Sequence, residues 1–101
     1  MARAIRQPQF VSALQAMLPD ADITLIRERP WFSATMAGQQ LKLRLHLYGE
    51  DADRRVQELC VELPKADFAL PHDFVDSIAI DSLTSDESGA TLELEALVVE
   101  G

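Results

Sequence analysis

A chain of 101 residues with 48% hydrophobic and 26% charged side chains has the size and balance of one globular domain, which argues against disorder; no apolar run approaches the ~20 residues of a membrane helix. Its net charge of −8 argues against nucleic acid as a partner, because affinity for phosphate rests on accumulated Lys and Arg. Cys60 is the only cysteine, so an intramolecular disulfide and a Cys-rich zinc site are both excluded.

The start of the chain, from Met1 to Arg6, carries two arginines with no apolar stretch behind them, which does not make a secretory signal. A cytoplasmic location is the default expectation. Pro8 is followed by Phe10, Val11, Leu14, Met17 and Leu18, a helical stripe that predicts a first helix over 7–18, stopped by Pro19. Ile23, Leu25 and Ile26 predict a strand over 22–28, halted by Pro30. Trp31 to Ala37 alternates Phe32, Ala34 and Met36 against Trp31, Ser33 and Thr35, which predicts a second strand. Gly38, in Ala37-Gly38-Gln39-Gln40, then suits a tight hairpin turn.

Residues 41–48 give the clearest signal in the chain. Leu41, Leu43, Leu45 and Leu47 alternate with Lys42, Arg44, His46 and Tyr48. Only an extended strand sends every second residue to the same side, so the leucines should face a core and the cationic set the opposite surface. Acidic residues at 50, 51 and 53 then favour a helix start, and Val56, Leu59, Cys60 and Leu63 fall at i, i+3, i+4 and i+7. A helix over 52–62 follows, ended by Pro64. Leu59, Val61 and Leu63 also alternate as a strand would, but the helical match and the acidic start favour the helix.

Residues 64–73, with Pro64 and Pro71, read as a crossing loop anchored by Phe68 and Leu70. Phe74, Ile78 and Ile80 predict a fourth strand on one face, and 91–99 a fifth, joined by a polar loop over 84–89. In the last strand Leu97 and Val99 share the face of Glu93 and Glu95, which leaves an apolar end on a charged surface. The whole predicts one α+β domain over 1–101, in two layers. A five-stranded antiparallel sheet carries two helices on one face, in the order α-β-β-β-α-β-β. Leu41, Leu43, Leu45, Leu47, Phe10, Leu14, Leu59, Ile78, Ile80, Leu92 and Leu94 should share its core.

Charge is lopsided along the chain. Residues 1–48 hold six cations and three acids, and residues 49–101 three cations and fourteen acids. In a single domain the expected reason is that the basic face of 41–48 lies beside the acidic face of another strand.

Signals for chemistry are weak. His46 lies between Arg44 and Tyr48 on its face, with no carboxylate at i±2 to orient it. His72, Asp73 and Asp76 hold possible metal donors, but their spacing matches no metal signature. Asp81, Asp86 and Glu87 do not follow the order of a calcium loop. Ser82, Ser85 and Ser88 lack the glycines of a nucleophile elbow, and no phosphate-binding glycine motif is present. No catalytic, cofactor or metal residue is assigned. The expectation is a small soluble interaction module that meets a protein partner or a second copy of itself, with neither nucleic acid nor membrane involved. Trp31, Leu97, Val99, Arg44 and His46 would line its surface. Two alternatives stand beside it: a small enzyme or ligand-binding domain using His46 or His72, and an acidic mimic of nucleic acid that occupies a basic protein.

Overall fold

The computed structural model describes residues 8–100. Residues 1–7, which include the first residue of the predicted first helix and both N-terminal arginines, lie outside the described residues, as does Gly101. Helix α1 spans Gln9–Met17 and buries Phe10, Val11 and Leu14, the residues its periodicity points inward. Its exit is tied down by Gln15, whose side-chain amide donates to the carbonyls of Leu18 and Ala21 at 2.9 Å each.

Strand β1 spans Asp22–Phe32 and β2 Ala37–Tyr48; helix α2 follows over Ala52–Glu62 and runs into a 3-10 turn at Leu63–Lys65. Strand β3 spans Asp73–Asp86 and β4 Gly89–Glu100. The sheet is antiparallel throughout, in the order β1-β2-β4-β3. The α+β class and the helix at 52–62 agree with the sequence. The strand count does not: the sheet has four strands, and the order is α-β-β-α-β-β.

The missing strand is an expected break that does not occur. The first predicted strand runs through Pro30, which lies opposite Gln39, to Phe32; of the second predicted strand only Trp31 and Phe32 join it, 33–36 form the turn and Ala37 opens β2. Proline lacks an N–H, but β1 is an edge strand, where one side of the backbone needs no partner. The hairpin turn also lies elsewhere. Ser33 N–H donates to the Met36 carbonyl at 2.8 Å, and the Ser33 hydroxyl accepts the Met36 N–H at 3.0 Å. That serine closes the turn, so Gly38 lies inside β2. The polar loop expected over 84–89 is shorter as well, because β3 runs to Asp86 and only Glu87 and Ser88 separate it from β4.

Both helices cover the same face. Leu41, Leu43, Leu45 and Leu47 of β2 meet Ala90, Leu92, Leu94, Ala96 and Val98 of β4 in one buried cluster with Phe10, Leu14, Val56, Leu59 and Leu63. Ile80 packs against this cluster and is only partly buried; the other predicted core residues are buried. The thinnest dimension of the molecule is 21 Å, room for one sheet and one helix layer. Among the described residues, no helix covers the second face of the sheet.

Candidate functional site: the open face of the sheet

In antiparallel strands, residues directly opposite share a face. The pairing then sets out the uncovered face in rows across β1, β2, β4 and β3. Trp31, Gly38, Val99 and Phe74 form the outermost row, followed by Arg29, Gln40, Leu97 and Ser77. Further rows are Arg27-Lys42-Glu95-Ala79, Thr24-Arg44-Glu93-Ser82 and Asp22-His46-Thr91-Thr84. Trp31, Leu97, Val99, Arg44 and His46 thus lie on one face. That face has an apolar end and a polar remainder.

The polar part neutralises itself. Arg44 donates through Nε to Glu93 at 2.9 Å, and Arg27 to Glu95 at 2.9 Å. Lys42 lies 3.7 Å from Asp81 and 4.0 Å from Glu93. The basic strand lies beside an acidic one, as the charge distribution implied. These side chains stand in or near water, where such a pair contributes only ~0.2–1 kcal/mol. The ladder therefore sets which strands lie together more than it holds them there.

His46 belongs to this ladder. Its Nδ1 lies 2.7 Å from the Thr91 hydroxyl, and its ring meets Tyr48 edge-on with centroids 4.5 Å apart. Tyr48 donates its hydroxyl to the Asp22 carboxylate, and that bond, followed by burial and the carboxylate's charge, raises the phenol above its ordinary range. Ser88 Oγ lies 3.4 Å from His46 Nε2, but its strong contact is with Asp86, to which it donates at 2.7 Å. Asp86 also accepts the backbone N–H groups of Ser88 and Gly89. Chiefly the Ser88 hydroxyl and N–H hold its carboxyl below the usual range. A nucleophilic serine needs its proton directed at the imidazole, and the imidazole oriented by the acid. Here the acid takes the serine proton and threonine takes the second ring nitrogen. The cluster is a cap on the β3–β4 turn.

His72 is exposed in the loop before β3, apart from His46 and the ladder. Among the described residues, no three His, Cys, Asp or Glu side chains converge to hold a metal ion, and no helix is long and apolar enough to cross a membrane.

The apolar end is the unusual part. Val99 is only 1% exposed although it lies outside the helix-side cluster, on the face that no described helix covers. Gly38 supplies no side chain to its row, and a Cβ there would meet the Val98 carbonyl oxygen at 2.2 Å. Leu97 and Trp31 are half-buried, and Phe74 is 45% exposed.

Sequence reasoning did not assign Phe74 to this surface; it placed Phe74 on one face with Ile78 and Ile80. A β-bulge between Val75 and Ser77 inserts Asp76 and reverses the alternation, so that Phe74 pairs with Val99 on the open face while Ile78 and Ile80 face the helices. The signal for it is the count: Val75 and Ile78 are three apart, a spacing a regular strand cannot place on one side. Comparison with protein-family models, with curated proteins and with solved structures finds no match to this chain.

Proposed function

We propose that this chain is a non-catalytic protein-interaction domain whose open sheet face binds a second copy of itself in a twofold dimer. One observation carries the reading: a sheet that the described helices cover on one side presents Trp31, Leu97 and Phe74 around the buried Val99 at one end of its other face. Apolar residues grouped on a sheet face without a second layer seek cover, and both described helices lie on the opposite face. Four strands of 11–14 residues make a face of roughly 700 Å² at the usual strand spacing and rise, close to the ~800 Å² per partner of a stable interface.

The apolar end serves as the dry centre and the ion-pair ladder as the wet rim, where its charges need not be stripped of water. Closed twofold dimers are the commonest homo-oligomers, and they need one self-complementary patch. The sheet edges suit self-association less well. Strand β1 carries Pro30 and a bulge at Leu25/Arg27, and β3 carries two bulges with Asp76, Asp81 and Asp86, features that block strand addition.

Sedimentation equilibrium at micromolar concentration tests the reading. The expected result is a dimer for the wild type and a monomer for Leu97→Lys and for Phe74→Glu, each with an unchanged circular dichroism spectrum. A monomeric wild type would overturn the dimer, and a dimer indifferent to both substitutions would overturn this choice of face.

A further inference from the structure

The described helix layer does not reach the end of the sheet it covers. Beyond Phe10, near the start of α1, the two strands of the β1–β2 hairpin and the end of β4 leave a groove of about 340 Å³ on the helix side. Phe10, Pro30, Phe32, Leu41 and Val98 give it an apolar lining, and Phe32 is 73% exposed. Three carboxylates surround that lining: Glu28 from the β1 edge, Asp73 from the start of β3, and Glu100 from the end of β4. None of the three forms an ion pair with a described side chain. The described cations that do form pairs are engaged elsewhere, Arg27, Lys42 and Arg44 on the opposite face and Arg54 and Arg55 at α2.

We propose that this groove is a docking site for a basic segment of a partner protein, an extended peptide in which apolar side chains alternate with Arg or Lys. The reasoning is complementarity. A volume of this size, at the small end of the ~300–1,000 Å³ of ligand pockets, holds one or two large apolar side chains. Cations flanking those side chains would reach carboxylates that pair with no described cation, and three like charges around one opening favour the arrival of a cation. The field of a chain of net charge −8 draws such a segment in before it docks. The proposal is independent of the dimer, because the groove and the open face lie on opposite sides of the sheet.

The probe is a fluorescein-labelled peptide, Arg-Leu-Arg-Leu-Arg, titrated into the full chain and followed by anisotropy, with Glu-Leu-Glu-Leu-Glu and Gln-Leu-Gln-Leu-Gln as controls. The expected result is saturable binding of the basic peptide alone. Glu28→Gln and Asp73→Asn should each weaken it about two- to fivefold, the range of exposed ion pairs, and 0.5 M salt should weaken it further. Phe32→Ser should abolish it; because that side chain is mostly exposed, the fold does not depend on it. Equal binding of the neutral peptide, or binding indifferent to the Glu28→Gln, Asp73→Asn double variant, overturns the proposal. So does binding that appears only after Arg3 and Arg6 are both changed to Glu, which would assign the groove to the chain's own first residues.

Discussion

Leu43 and Arg44 are consecutive residues of one strand, and they lie in different surroundings. Leu43 is fully buried under the helix layer, opposite Leu94 and beside Leu25. Arg44 lies on the open face, exposed and paired with Glu93. The backbone supplies both positions equally; what differs is whether a second layer covers the side chain. On the covered face the energy comes from apolar area removed from water, about 25 cal/mol per Å², and from close packing. On the open face the charges keep much of their hydration, and the pairing between strands is specific but weak. One face therefore holds the fold, and the other is left without a layer among the described residues.

Substitutions on each side of the sheet test this contrast. The largest effect belongs to the covered face: Leu43→Ala or Leu45→Ala should cost ~2–5 kcal/mol, because each leaves a cavity among immobile neighbours. Urea denaturation reads it, and a midpoint unmoved by either change would contradict the core assignment.

Next come the two places where the strands close around a missing side chain. Gly38→Ala brings a Cβ against the backbone of β4. Gly89→Ala puts one within 1.9 Å of the Leu47 carbonyl oxygen, at a residue whose φ of 150° already disfavours a side chain. Each should lose about 1–3 kcal/mol through overpacking, measured in the same titration. If Gly38→Ala proved neutral, the tight approach of β2 and β4 at the apolar end would be wrong.

The open face should answer more gently. A double-mutant cycle on Arg44→Ala and Glu93→Ala is expected to give a coupling of ~0.2–1 kcal/mol, reduced in 0.5 M salt. A coupling as large as the leucine effect would mean that the ladder is buried, in a dimer or otherwise.

The smallest effect is set by pH. The Arg55 side chain donates to both carboxylate oxygens of Asp20 at 2.7 and 3.0 Å, joining the α1–β1 connection to α2. That bond holds the Asp20 carboxyl below its ordinary value, as Ser88 does for Asp86. A carboxyl lowered in the folded state contributes stability above its unfolded value, near ~3.9, and loses it as pH falls through the folded one. Unfolding midpoints should therefore decline below about pH 4, and Asp20→Asn should flatten part of that slope. An identical slope in the variant would remove the Arg55 pair from the account.

Several features were legible from the sequence because they depend only on local period. Helix α2 occupies 52–62 as read, since its apolar residues recur at i, i+3, i+4 and i+7. The two faces of β2 follow from strict alternation. The same alternation brings Trp31, Arg44, His46, Leu97 and Val99 to one side of the sheet. Phe74 escaped that reading because one extra residue, Asp76, switches the faces of Ser77 to Ile80 until the second bulge at Asp81 restores them, and only the three-residue spacing of Val75 and Ile78 marks it in the sequence.

What period alone determined is therefore which residues are inward within each regular stretch. Where the stretches end, and which lie together, was decided by tertiary structure. Pro30 looks like a terminator in isolation and is harmless on an edge strand, yet whether a strand is an edge is a property of the whole sheet. The pairing of β2 with β4 spans the entire α2 segment, so it rests on the leucines of both strands sharing one helix layer and on Arg44 and Lys42 meeting Glu93. Those contacts exist only once residues some fifty positions apart in the chain are adjacent in space, and no local spacing encodes that meeting.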